Sequence, residues 1–265
     1  MSLLELEKRG HIALLTINRP EAMNALGREG DGAAVRGVCD TVNADREIRA
    51  VILTGSGKAF SAGGDVKSMR ERSGAFAADA VAIREGYRRN IHQIVHALRG
   101  LEVPSIAAVN GAAIGLGCDV ACMTDIRIAS EKAIFGVTFL KLGLVPGDGG
   151  AWLLPRVIGM SRACELLYTG KTIDAATAAA WGLVSEAVPH AELLDRAFAL
   201  AGEIAKQPPH ALRLSKSLLR HGESASYETI MEMSAAMQAI SHLTEDHMEG
   251  VEAMLDKRPA DFKGR

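Results

Sequence analysis

Two glycine-bearing stretches stand where a bound ligand could meet the backbone. One runs Gly55-Ser56-Gly57-Lys58-Ala59-Phe60-Ser61-Ala62-Gly63-Gly64-Asp65, and the other Gly111-Ala112-Ala113-Ile114-Gly115-Leu116-Gly117-Cys118-Asp119. Each follows a short apolar run. Glycine lacks a Cβ, so backbone N–H groups can approach a ligand closely and φ can take unusual values. A helix beginning near Leu116 would aim its unpaired N–H groups and positive dipole end at whatever lies ahead. The same loops would serve as tight turns between packed elements, and these residues alone leave both readings open. Nucleotide patterns fit poorly. A dinucleotide fingerprint needs a third glycine that Gly55-x-Gly57 lacks, and Gly115-x-Gly117 runs into Asp119-Val120. A phosphate-binding P-loop needs Ser or Thr after Gly-Lys, whereas Ala59 follows Gly57-Lys58. His92 and His96 have the spacing of a metal pair but neither a third ligand nor the glutamate of a zinc-protease helix, so they read as core or surface histidines. Ser61 lies outside any GxSxG elbow and has no identifiable histidine partner.

The elements that must position these loops are short strands and helices. Residues 11–18 form a β-branched apolar run stopped by Arg19-Pro20, and 50–54 (AVILT) and 105–110 (SIAAVN) read as strands buried on both faces. Shorter strands are expected at 127–129 and 133–135. A long amphipathic helix fits 76–99, with Ile83, Tyr87, Ile91, Ile94, Val95 and Leu98 on one face. Residues 24–44 make a weaker helix, because Gly27, Gly30, Gly32 and Gly37 each cost up to about 1 kcal/mol relative to Ala. Alternation of strand and helix argues for an α/β architecture with parallel pairing. Beyond residue 160 strand signals fade and helices fit 161–168, 174–181, 191–206, 208–221, 223–240 and 244–257. The last third exposes apolar residues such as Met231, Met233, Met237 and Ile240, suited to covering the first half or another subunit.

Composition excludes several classes. The 265 residues carry 30 Lys plus Arg against 32 Asp plus Glu, with 48% hydrophobic residues, so the chain folds and offers no basic stripe for nucleic acid. The four cysteines lack paired spacing and read as reduced, mostly buried thiols. No apolar stretch reaches a membrane span and no signal peptide is seen, so a cytoplasmic protein with neither nucleic-acid nor membrane partner is expected. Of 27 glycines, eleven fall in 55–64, 111–117 and 143–150.

At this point the motifs match a known family. AFSAGGD (59–65) and NGAAIGLGCD (110–119), with INRPEAMNAL (17–26), DIRIAS (125–130), LGLVPGDGG (142–150), AAAWGLVSEAV (178–188) and DHMEGVEAMLDKRPADF (246–262), resemble the crotonase, or enoyl-CoA hydratase/isomerase, superfamily. The resemblance covers nearly the whole chain in order. It implies a ββα spiral core over residues 1–200 and a helical trimerisation region over 201–265, assembled as a homotrimer or a hexamer built as a dimer of trimers. It implies an acyl-CoA thioester substrate, with coenzyme A part of that substrate, and neither a separate cofactor nor a metal.

The family's shared device is an oxyanion hole of two backbone N–H groups, which the resemblance carries onto Ala62 and Leu116. Two fixed donors suit an enolate, whose oxygen gains charge as a proton leaves the adjacent carbon. Family hydratases use two glutamates, at the positions of Asp119 and Phe139 here. Asp119 follows Leu116 by three residues and so shares its helix face, but is one methylene shorter than Glu. Phe139 cannot carry a proton. Asp148, in the loop that borders the acyl pocket of relatives, offers a replacement, and a single carboxylate beside the hole suits isomerase chemistry. The bland alternatives are an ion-paired Asp119 and a turn-forming Asp148. Coenzyme A contacts are implied at Arg19, Ala22, Ala25, Ala62, Gly64, Asp65, Val66 and Gly115, beside Phe139. Lys257 and Phe262 are implied from this chain or a neighbouring subunit. An acyl-CoA enzyme of isomerase type is the leading expectation. Hydration of 2-enoyl-CoA and a non-catalytic acyl-CoA binder or scaffold are the alternatives.

Overall fold

The computed structural model describes residues 2–73, 76 and 79–265. Among the described residues ten strands form two sheets. The larger contains β1 (Leu4–Arg9), β2 (Ile12–Ile17), β3 (Ala50–Gly55), β5 (Ser105–Val109), β7 (Ile126–Ser130) and β10 (Glu186–Val188), in the order β1-β2-β3-β5-β7-β10. The smaller contains β4 (Ala59–Ser61), β6 (Ala112–Ile114), β8 (Ile134–Gly136) and β9 (Thr172–Asp174), in that order. Only the edge pairs β1–β2 and β8–β9 are antiparallel. Three times the chain places one strand in each sheet before a helical passage: β3 then β4, β5 then β6, β7 then β8. Repeating that ββα step advances both sheets together, which is a spiral.

The central strands follow the rule for parallel sheets covered on both faces. Leu14, Ile52, Ile106 and Ile128 point to one side, where helix α9 (Leu193–Ala205) lays Ala197 and Ala201 on them. Their neighbours Val51, Leu53, Ala107 and Val109 point into the main core. That core is closed by α1 (Asp31–Ala44), α4 (His92–Arg99) and α5 (Leu116–Met123). The remaining helices are α2 (Val66–Glu71), α3 (Ala80–Gly86), α6 (Gly150–Ile158), α7 (Met160–Thr169), α8 (Ala175–Ala180), α10 (Pro209–Gly222), α11 (Tyr227–His242) and α12 (Glu245–Asp256). Among the described residues no helix is long and apolar enough to cross a membrane.

Several expectations need correction. The helix expected from residue 24 starts at Asp31. Met23 and Asn24 adopt left-handed φ of 52° and 57°, and Gly27 and Gly30 lie at 94° and 85°, so 23–30 is an irregular loop. Of the helix expected over 76–99, residues 77 and 78 lie outside the described residues. From Ala80 onward it runs as α3, a π-turn over Tyr87–Ile91, and α4. Strands do not end at residue 160: β9 and β10 complete the two sheets. Each is three residues long, too short for a period-2 pattern to register. The C-terminal helices fall where periodicity placed them. α11 has no buried residue; Met231 and Ile240 are exposed, and Met233 and Met237 half-buried.

Candidate functional site

The spiral brings both glycine loops to the carboxyl ends of β3 and β5. Asn24, on the segment after β2, braces the first of them. Its buried amide donates to Ser56 O at 2.9 Å and to Ala59 O at 2.7 Å, and accepts from Arg19 N at 2.9 Å. Asn110 acts in parallel, donating to Gly57 O at 3.1 Å and accepting from Gly55 N at 3.2 Å. Ser61 Oγ donates to Asn24 O at 2.8 Å, so this hydroxyl is structural. Gly63 is where the two loops touch. Its φ is 92°, and a Cβ there would sit 2.4 Å from Ile114 O and 3.4 Å from Leu116 N.

One oxyanion assignment fails on a hydrogen bond. Ala62 N–H donates to Met23 O at 2.9 Å and is therefore spent on the scaffold. Two residues on, Gly64 N–H has no hydrogen-bond partner among the described residues. Leu116 N–H is likewise free, because Leu116 is the first residue of α5 and precedes the intrahelical ladder. Gly115 makes this possible. Its φ and ψ of 53° and −121° reverse the chain, while its own N–H bonds Gly136 O at 2.8 Å. The two free donors thus belong to Gly64 and Leu116, on loops in van der Waals contact, with the dipole of α5 behind one of them.

Two buried carboxyl groups accompany this pair. Asp119 is 1% exposed, and its Oδ2 accepts from Gly150 N at 3.1 Å. Burial pushes its carboxyl well above the usual carboxylate range; Cys122 and Asp148 add to this and the Gly150 N–H opposes it. Asp148 is 4% exposed, and its Oδ1 is buried with no hydrogen-bond partner among the described residues. Burial pushes it up to about 6, against a smaller lowering by His92. The loop that carries it is pinned on both sides. His92 Nε2 lies 2.9 Å from Gly147 O, and Tyr87 packs on Gly147 from the π-turn. Gly149 turns at φ 101° into α6. Phe139 presents its ring edge to Gly115, 3.9 Å from where a Cβ would stand. A buried carboxyl raised toward neutrality, on the loop that bonds Asp119 of α5, and two unspent N–H donors are groups suited to moving protons next to a thioester carbonyl.

Other expected contacts scatter. Arg19 clamps Asp31 through two bonds of 3.0 and 2.8 Å and reaches Ala25 O at 2.6 Å, so its guanidinium is committed to the fold rather than free for a phosphate. Ala22 is half-buried and Ala25 buried in the same irregular segment. Asp65 caps α2, accepting from Lys67 N and Ser68 N, and pairs with Arg28 at 2.7 Å; Val66 beside it is exposed. Lys257 ends α12, and Phe262 stacks on Gly250 with its carbonyl held by Arg49 at 2.9 Å. Arg49 precedes β3, whereas the glycine loop follows it. A six-residue strand, about 20 Å long, therefore separates Phe262 from the loops of its own chain. The four cysteines are unpaired, and no cluster of three metal-ligating side chains occurs among the described residues. Sequence reasoning placed Tyr87 on the apolar face of a helix and read His92 as a core or surface histidine, and linked neither to the Asp148 loop that both hold.

Comparison with known proteins shows the family. The family model for enoyl-CoA hydratase/isomerase matches residues 7–265. A crotonyl-CoA hydratase of Syntrophomonas wolfei is 38% identical over 258 residues, covering 97% of this chain and 96% of the relative. A short-chain-enoyl-CoA hydratase of Clostridium acetobutylicum is 38% identical over 264 residues, covering 98% and 97%. The crystal structure of an enoyl-CoA hydratase from Bacillus anthracis superposes with a TM-score of 0.92 at 33% identity, covering 99% of this chain and all of the other. With its two interleaved sheets and its glycine loops meeting at the start of α5, the chain belongs to the enoyl-CoA hydratase/isomerase family of acyl-CoA enzymes.

Proposed function

We propose that the protein shifts a double bond along an enoyl-CoA, with Asp148 as the proton carrier. The thioester oxygen accepts from Gly64 N–H and Leu116 N–H. Asp148 takes a proton from one carbon of the acyl chain, the electron pair moves into the enolate held by the two donors, and the same carboxyl returns the proton two carbons away. Losing one such donor typically costs about 2.7–4 kcal/mol of barrier lowering. The observation that carries the reading is the buried, unpartnered Oδ1 of Asp148 with its carboxyl near 6. A base tuned toward neutrality is what a reversible proton shuttle requires. Asp119, engaged by Gly150 and held toward its neutral form, adds no second negative charge beside Asp148.

Separate incubation with crotonyl-CoA and with a 3-enoyl-CoA tests this. Conversion of the 3-enoyl ester that is lost in Asp148→Asn is expected. Rapid hydration of crotonyl-CoA that survives Asp148→Asn overturns it. Hydration of 2-enoyl-CoA is the second reading, favoured by the hydratase names of the relatives above. The exposed apolar residues of α11 and the distance of Phe262 from its own site support a homotrimer or hexamer in which Lys257 and Phe262 serve a neighbouring subunit. Light scattering on the purified chain distinguishes that from a monomer.

A further inference from the structure

A cavity of about 570 Å³ adjoins the Asp148 loop, lined among others by Arg84, Tyr87, Arg88, His92, Val145 and Gly147. Its inner wall is the contact of Tyr87 and His92 with Gly147, the residue before Asp148. Arg84 on α3, Arg88 on the π-turn and His92 at the start of α4 line this cavity together, leading from the Asp148 loop outward. The outer end of the cavity is cationic. Arg84, Arg88 and Arg89 approach the single carboxylate of Glu85 at 3.0, 3.2 and 3.7 Å. Three guanidinium groups on one carboxylate leave an excess of two positive charges. The wall between is apolar, with Tyr87 half-buried and Val145 exposed.

A methyl-ended acyl chain extended from Asp148 would use the apolar wall and leave the guanidinium groups with water. A chain ending in a carboxylate would use both, because guanidinium offers paired N–H donors that match a carboxylate. We propose that the substrate is an enoyl-CoA whose acyl chain ends in a second carboxylate, selected by Arg84 and Arg88. The inference rests on the enoyl-CoA reading above and names the substrate class of that site.

Two saturated, unreactive thioesters of equal length, adipoyl-CoA and hexanoyl-CoA, isolate the terminal group. Calorimetric titration at low salt, where exposed charges are least screened, is expected to show adipoyl-CoA binding at least about ten-fold tighter. In the double variant Arg84→Ala/Arg88→Ala the ratio is expected to fall to about two-fold or less, and Arg88→Glu is expected to reverse it. Circular dichroism confirms folding; should the double variant unfold, Arg88→Gln supplies the same reading. Binding of hexanoyl-CoA with no preference for adipoyl-CoA, or a preference that survives the double variant, overturns this inference alone. Binding of neither thioester overturns the enoyl-CoA reading together with it.

Discussion

Replacing Asp148 by Asn separates the demands of catalysis from those of stability. Burial raises this carboxyl from 3.8 to about 6. A carboxyl raised by folding is favoured by the folded state when protonated. That contribution is complete below about pH 3.8 and is lost as pH rises through about 6. About two pH units at 1.36 kcal/mol each amount to roughly 3 kcal/mol, the penalty the native enzyme carries at pH 7–8 for holding a buried charge there. Asn keeps the shape and never ionises, so Asp148→Asn is expected to be more stable than the parent at pH 8 by up to about 3 kcal/mol. In a protein of this size that corresponds to roughly 6–12 °C in Tm. The figure is an upper one, because the amide also has hydrogen bonds to satisfy. The gap should close as pH falls from 6 toward 3.8. Activity should move the other way, with double-bond shift falling by about 10²–10⁴-fold. In the parent, kcat/KM should fall as pH drops below about 6, where the base becomes protonated. Calorimetric melts at several pH values, run beside a spectrophotometric isomerase assay, measure both. A variant with parental activity, or a stability difference that does not change with pH, would refute the reasoning.

Three further predictions follow from the loop geometry. Gly63→Ala places a Cβ 2.4 Å from Ile114 O at a left-handed φ and should lose about 1–3 kcal/mol of stability and about 100-fold in turnover, whereas Gly64→Ala meets only the flexible end of Met69 and should stay within ten-fold; paired kinetics and melts check this. Asn24→Ala removes the amide that ties the segment after β2 to the first glycine loop and should cost about 2–4 kcal/mol, read from urea unfolding. Arg19→Met leaves the buried Asp31 carboxylate without its clamp and should cost about 3–5 kcal/mol, while CoA-ester affinity of the folded protein, measured by titration, stays close to the parent's. A large affinity loss at unchanged stability would restore Arg19 to the ligand.

Much of the scaffold was legible because it is repetitive. Residues 50–54 and 105–110 are uninterrupted β-branched and small apolar runs ended by glycine, and only a strand covered on both faces needs that composition. The helices beyond residue 190 carry a 3.6-residue period over three or four turns, long enough to locate within a few residues. The glycine loops announced a close approach of backbone to backbone or ligand, and the ordered motifs announced the family. Strands β4, β6, β9 and β10 left no such trace, because three residues hold less than two periods of alternation.

The tertiary structure decided the rest, and hydrogen-bond competition is the reason. Ala62 and Gly64 are two small residues in one loop, and nothing in their identity says which N–H is free. Met23, 39 residues earlier, takes the first and leaves the second. Arg19 stands where the resemblance implies a coenzyme A contact, but Asp31 claims both of its terminal nitrogens. Asp148 could have been a turn residue satisfied by its own backbone. Instead its Oδ1 is buried without a partner, on a loop that Tyr87 and His92, nearly sixty residues away, hold at Gly147. Phe262 lies at the far end of β3 from the loops because Arg49 holds its carbonyl there. The sequence determined which groups this protein possesses and the sheet on which they hang. Which of those groups remain unsatisfied, and therefore reactive, depends on partners that only the folded chain brings within bonding distance.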